Sequence, residues 1–262
     1  MTGGSRGIGR AACLGLAGEG AAVAVHYNRG REEAERLAEE IRAGGGRAAC
    51  VQADVTESAE VERMMEEVAA FAGAGGLHVL FNNAGIYPPG SLESVSVEEW
   101  DDVIAVNVRG PFLCTKAALP SLKRASRARV INIGSVVPFL GMPGFIHYAT
   151  AKAALSGFTH SLARELAGYG ITVNCVVPSM VATETANADY PGWEEGVLAQ
   201  QAIKRVQRPE DLVGTIVFLA SDASDFMTGQ TIVVDGGRVL RGARSRTGCC
   251  PGSPSCARVP PG

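Results

Sequence analysis

Met1-Thr-Gly-Gly-Ser-Arg-Gly-Ile-Gly9, then an alanine- and leucine-rich segment from Arg10 to Gly18, then the apolar run Ala21-Ala-Val-Ala-Val25, is the stretch that decides the fold. It reads as a glycine turn, a helix and a short strand buried on both faces. Glycines at 3, 7 and 9 allow close approach of another backbone or of a pyrophosphate. The helix that follows offers unpaired N–H groups and the positive end of its dipole. The spacing is Gly3-x-x-x-Gly7-x-Gly9 and not G-x-G-x-x-G, so the loop alone marks a candidate nucleotide cradle and nothing narrower.

Outward from this unit, the same alternation repeats. Arg31 to Ala43 is a charged helix stopped by Gly44-Gly-Gly46, and Arg47 to Gln52 is a strand leading into Ala53-Asp54-Val55. A helix from Thr56 or Ser58 to about Phe71 precedes the strand Leu77 to Phe81 and Asn82-Asn-Ala-Gly85. Val97 to about Arg124 is helical with Asn107 in its middle, Val130 to Ile133 is a strand ending at Gly134-Ser135, and a helix carrying Tyr148 and Lys152 runs to about Leu166. Ile171 to Val176, a helix opened by Pro209-Glu-Asp, and the strand Thr231 to Val234 complete the pattern. Strands separated by long helices require right-handed crossovers and predict an α/β fold, a Rossmann-type doubly wound parallel sheet in three α/β/α layers. Ligands of such sheets lie beyond the carboxyl ends of the strands. Asn82, Ser135 and Pro178 each follow a strand and so share one rim. Val181 to Arg208, with no clear strand, is expected to form a flap over that rim.

Tyr148 and Lys152 lie four apart, on one helix face, with Ser135 thirteen residues before the tyrosine. An ammonium beside a phenol favours the phenolate, which makes Tyr148 a candidate proton donor or acceptor.

Composition removes other classes. A formal charge of −3 over 262 residues argues against nucleic acid or an anionic membrane as partner. Apolar runs are too short to span a bilayer and no signal peptide opens the chain, so a cytoplasmic location is expected. Cys13, Cys50, Cys114 and Cys175 lie in apolar segments as reduced small residues. Cys249, Cys250 and Cys256 lack a C-x-x-C pair or His partner, and no metal site is expected.

Together these residues resemble the short-chain dehydrogenase/reductase family. The likeness covers residues 2 to 237 and rests on Thr2-Gly3-x-x-x-Gly7-Ile8-Gly9, Asp54, Asn82-Asn83-Ala84-Gly85, Asn107, Ser135 and Tyr148-x-x-x-Lys152. Ile131-Asn-Ile-Gly-Ser135, Ser161-Leu-Ala-Arg-Glu165 and Gly170-Ile-Thr-Val-Asn174 point to the 3-oxoacyl-acyl-carrier-protein reductase-like branch. The resemblance implies hydride transfer between a nicotinamide cofactor and a ketone or secondary alcohol. Tyr148 is then the general acid or base, Ser135 the carbonyl orienter, Lys152 the residue that lowers the tyrosine's pKa and binds ribose, and Asn107 the holder of a relay water. Gly3, Ser5, Arg6, Gly7, Ile8, Gly9, Asn28, Arg29, Asp54, Val55, Asn82, Ala84, Gly85, Tyr148, Lys152, Pro178, Val181 and Thr183 are the implied cofactor contacts.

The second strand is followed by Tyr27-Asn28-Arg29, with no carboxylate for the ribose hydroxyls, whereas Arg6 and Arg29 suit a 2′-phosphate. NADP(H) is therefore expected, with NAD(H) as the alternative. The substrate is a small carbonyl or alcohol compound, carrier-protein- or CoA-linked on the closest likeness, and Lys123 and Arg124 near the rim are candidates to meet an acidic carrier. Competing readings are an NAD-linked dehydrogenase of a sugar or cyclic alcohol and a non-catalytic nucleotide-binding member. The family likeness implies a homotetramer. It also implies a central first strand before Thr2, of which Met1 would be the last residue. Residues 1–237 are expected to form one domain, and 238–262, rich in Arg, Pro, Gly and Cys, a disordered tail.

Overall fold

The computed structural model describes residues 1–240; the expectation for the tail therefore lies almost wholly outside the described residues. In chain order the elements are α1 (Gly7–Gly18), β1 (Val23–Tyr27), α2 (Arg31–Ala43), β2 (Ala48–Gln52), α3 (Ser58–Ala72) and β3 (Val79–Asn82). Next come α4 (Val97–Ile104), a π-helical turn (Ala105–Arg109), α5 (Gly110–Leu122), β4 (Arg129–Ile133), α6 (Val137–Leu140) and α7 (Ile146–Leu166). The last are β5 (Thr172–Pro178), α8 (Glu184–Asp189), α9 (Glu194–Gln200), α10 (Glu210–Ala220) and β6 (Thr231–Val234).

All strand pairs are parallel, in two sections, β1-β2 and β3-β4-β5-β6. Met1 and Thr2 join them. The terminal ammonium donates to Ala24 O, His26 N donates to Met1 O, and Thr2 N donates to Phe81 O. Above this short bridge, between β1 and β3, lies a cavity of about 470 Å³ lined largely by apolar side chains such as Val23, Val51, Met64, Val68 and Leu80.

Alternate strand residues face opposite layers, as the two-residue period of a strand demands. Leu80, Val130 and Val173 pack with α3, α5 and α7. Phe81, Ile131 and Val176 pack with α1, α2 and α10. Continuous apolar runs such as Val-Ile-Asn-Ile are what a sheet covered on both faces needs. The helices end where their sequences say they should: Ser96 accepts a hydrogen bond from Glu99 N at the start of α4, and Gly170, in the left-handed region at φ +70°, turns the chain after α7 towards β5. Val239 packs against Val136, Cys175 and Val177, which carries the ordered chain a few residues past β6.

Two readings need correction and one gains detail. The helix expected from Val97 to Arg124 is interrupted at Asn107 by the π turn. The stretch from Val181 to Arg208 contains two short helices, α8 and α9, with Val181 bridged to Gln207. Lys123 and Arg124 lie at the end of the sheet away from the rim. The preceding Ser121 accepts from Leu77 N at the start of β3, and Lys123 Nζ sits 3.7 Å from the centre of the Tyr169 ring. A helix returning between parallel strands must finish at their amino ends, and that topology overrides the sequence placement.

Candidate active site

The glycine loop is held from several directions by backbone groups. Thr2 Oγ1 donates to Phe81 O and accepts from Asn83 N and Ala84 N. Asn83 Nδ2 donates to Thr2 O and Gly3 O. Gly3 N donates to His26 Nδ1, and His26 Nε2 lies 2.9 Å from Ala53 O. Gly3 and Gly7 have φ of +59° and +53°, which only glycine adopts without strain. A Cβ on Gly9 would stand 2.0 Å from Gly3 O, so the turn folds directly onto the first turn of α1. That first turn has no acidic side chain and no side-chain cap, leaving its N–H groups available to an anion.

His26 therefore accepts with one ring nitrogen and donates with the other, a pattern open only to the neutral ring. Burial pushes its pKa down to about 4, although the Ala53 carbonyl pulls the other way. A folded-state value below that of the free chain means the unfolded protein binds the extra proton. The stabilisation is complete above about pH 6.5 and is lost as pH falls towards 4, amounting to roughly 3 kcal/mol. Urea unfolding of the wild type between pH 7.5 and 4.5 should show this slope, and His26→Gln should flatten it; equal slopes in both proteins would contradict the assignment.

The expected cofactor residues assemble along this edge. Asn28 Nδ2 donates to Asp54 Oδ2, and Asp54 also accepts from Thr56 N and Thr56 Oγ1. Burial raises the Asp54 pKa, but these hydrogen bonds outweigh it and hold the carboxyl below its usual range. Arg6 and Arg29 are exposed, and Val55 is buried beneath. Thr183 caps α8 through Ala186 N and brings its methyl 3.1 Å from where a Cβ on Gly7 would lie. Pro178 ends β5, and buried Val181 follows it. Asn82 is different. Its side chain is buried below the rim, donating to Thr115 Oγ1 and Asn132 Oδ1, while Gly85 beyond it is exposed.

At the reaction end, β4 delivers Ser135 and α7 delivers Tyr148 and Lys152. The Ser135 hydroxyl, which accepts from Val137 N at 3.2 Å, stands close enough to the Tyr148 phenol to favour its ionised form. Burial drives the phenol's pKa up to about 12, and Ser135 only partly offsets this. The lowering expected from Lys152 does not overcome burial here, because Nζ lies 5.8 Å from the Tyr148 ring centre and donates to Ile133 O. Burial pushes Lys152 itself down to about 8, which leaves it mostly charged at neutral pH. Asn107, fully buried on the π turn, donates to Ile86 O and Val103 O while its Oδ1 has no partner. A Cβ on Gly85 would lie 2.7 Å from that oxygen and 3.6 Å from Lys152 Nζ, so the free acceptor, the ammonium and the bare Gly85 backbone face one small space. π turns recur at functional sites for this reason, since they turn out a side chain that a regular helix would keep in line.

Three further groups complete the site. Tyr87 and Phe145 flank the Tyr148 ring and Tyr190 packs on both of them, with centroid separations from 5.9 to 6.4 Å. Tyr190 lies between α8 and α9 and donates its hydroxyl to Tyr87 O at 2.7 Å. Gln207 ties the ends of β5 and β6 to the flap by accepting from Ser179 N and donating to Val234 O. Trp193 donates to Asn187 Oδ1, bracing α9 on α8.

A dinucleotide fits this surface: a glycine cradle that a side chain would fill, uncapped helix N–H groups at one end, and a lysine with an unsatisfied acceptor at the other. Among the described residues no set of three or more His, Cys, Asp or Glu side chains is gathered around a metal position. A family model described as enoyl-(acyl carrier protein) reductase matches residues 3–238. A 3-oxoacyl-acyl-carrier-protein reductase of Staphylococcus aureus (strain N315) is 43% identical over 240 residues, covering 92% of this chain and 97% of that one. The enzyme of the same name from Synechocystis sp. is 41% identical over 242 residues, covering 92% and 96%. Among solved structures, a dehydrogenase/reductase of Sinorhizobium meliloti 1021 superposes with a TM-score of 0.85 at 38% identity, covering 91% of this chain and 93% of that one. A short-chain dehydrogenase of Burkholderia cenocepacia J2315 in complex with NADP gives 0.84 at 35%, covering 90% and 95%. With the glycine cradle and the Ser135–Tyr148–Lys152–Asn107 grouping in place, these matches establish that the chain belongs to the short-chain dehydrogenase/reductase family.

Proposed function

We propose that the protein reduces the keto group of a 3-oxoacyl thioester with NADPH. The observation that carries this reading is the grouping of Tyr148 with Ser135, Lys152 and the unpartnered Asn107 Oδ1, opposite a glycine cradle. NADPH supplies a hydride to the carbonyl carbon. Tyr148 holds the proton for the carbonyl oxygen, and burial keeps that proton in place at neutral pH. Ser135 donates to the same oxygen and fixes its aim. Lys152 faces the ribose side, and the free Asn107 Oδ1 receives a water that returns the proton to the site. Arg6 and Arg29 meet the 2′-phosphate, since no carboxylate occupies the end of β1 to take a ribose diol. Tyr87, Phe145 and Tyr190 cover the reacting carbonyl and exclude water.

Steady-state assays with acetoacetyl thioester should give a higher kcat/KM with NADPH than with NADH. A preference for NADH would favour the NAD-linked dehydrogenase of sugars or cyclic alcohols instead.

Residues 1–237 act as one domain in this reading, in the cytoplasm, where the buried free thiols Cys13, Cys114 and Cys175 stay reduced. Among the described residues no helix is long and apolar enough to cross a membrane. The exposed Phe112 on α5 and Phe218 on α10 lie on separate faces that a homotetramer would cover. Light scattering should return four times the chain mass of 27.2 kDa; a monomer would contradict this part of the reading.

A further inference from the structure

Arg238 follows β6 and turns back over the rim. Its Nε donates to Gln200 Oε1 at 3.1 Å, at the end of the flap helix α9. The outer fork is poorly served: Nη1 lies 3.4 Å from Ser179 Oγ and Nη2 lies 3.9 Å from Met142 Sδ. A hydroxyl at the limit of bonding distance and a thioether are weak partners for a guanidinium, whose paired N–H groups match an oxyanion. Asp235, the nearby acid, does not fill the role. Its two oxygens accept from Gly237 N and Val239 N, and among the described residues Arg238 makes no ion pair.

The position of this fork connects it to the reaction centre. Ser179 follows Pro178, whose carbonyl accepts from Val136 N, the residue after Ser135. Met142 lines a second cavity, of about 450 Å³, with Leu92, Pro138 and Ile146. A half-buried cation therefore stands at the junction of the rim, the flap and an apolar recess. Desolvation lowers its pKa, and the nearby charge of Asp235 offsets this only in part.

We propose that Arg238 is a specificity-determining residue that grips an oxyanion, phosphate or carboxylate, carried by the carbonyl substrate. The inference rests on the ketoreductase reading given above and narrows its substrate class to anionic compounds. A phosphate would come from the thiol side of the thioester, a carboxylate from the far end of the acyl chain.

Three substrates separate the cases: acetoacetyl-CoA, the neutral N-acetylcysteamine thioester of acetoacetate, and 3-oxoadipyl-N-acetylcysteamine with its terminal carboxylate. For wild type, kcat/KM should favour one anionic substrate over the neutral one, and which one it is identifies the source of the anion. In Arg238→Met that preference should fall by about ten- to one-hundred-fold, mainly through KM, with partial recovery in Arg238→Lys. An unchanged ratio in Arg238→Met, or an equal loss on charged and neutral substrates, would overturn the proposal; equal loss would make Arg238 a support of the flap through Gln200. Turnover of the neutral thioester without any anion preference would sink this inference alone. Failure of all three substrates would remove the ketoreductase reading with it.

Discussion

Tyr148→Phe is expected to lower kcat for keto reduction by about 10²- to 10⁴-fold, the range for losing a positioned general acid, while NADPH still binds with nearly wild-type affinity. The substitution deletes one hydroxyl and leaves the ring flanked by Tyr87 and Phe145. With a pKa pushed up to about 12, the phenol keeps its proton throughout the neutral range. Ionisation of the phenol should therefore not shape the pH profile around neutrality. Lys152, near 8, is the group beside it whose charge changes first as pH rises. Stopped-flow turnover with a parallel fluorescence titration of NADPH separates the two effects. If both kcat and cofactor affinity collapse together, Tyr148 is a structural residue. If neither changes, the proton comes from elsewhere.

Gly9→Ala is expected to weaken NADPH binding by roughly ten-fold or more and to lower the melting temperature, because overpacking of this kind costs about 1–3 kcal/mol. The added Cβ would meet Gly3 O at 2.0 Å and Asn83 Nδ2 at 2.8 Å. The loop cannot simply retreat, since Gly3 is held by His26 on one side and Asn83 on the other. Gly18, at the other end of α1, has open space around it, and Gly18→Ala is the matched control. Differential scanning calorimetry with and without NADPH should show a smaller ligand-induced rise in Tm for Gly9→Ala than for Gly18→Ala. Equal rises would mean the glycine loop does not carry the cofactor.

Much of this architecture was legible in the chain because it is written in local patterns. Continuous apolar runs gave the buried parallel strands, and Tyr148 and Lys152 announced themselves by helical spacing. Residues whose importance comes from long-range contact with backbone groups were not legible. His26 sits in a strand as any half-polar residue would, and its worth appears only when Gly3 N and Ala53 O arrive at its two ring nitrogens. The adjacent Asn82 and Asn83 exchange expected importance for the same reason: one turns inward to Asn132, the other pins the glycine loop. Gln207 makes two cross-links between strand ends that no spacing rule encodes. The π turn at Asn107 is a register change inside an otherwise helical pattern, and helical periodicity is blind to it. Lys123 and Arg124 looked like a docking patch only until the direction of α5 was known.

The central claim is that the side chains at the end of β4 and on α7 deliver a proton to a ketone while NADPH delivers the hydride. Its most direct measurement is the product balance of purified protein given NADPH and acetoacetyl thioester. One 3-hydroxybutyryl thioester formed for each NADPH consumed is the predicted result; tight NADPH binding with no hydroxy product from this or any other ketone would contradict it.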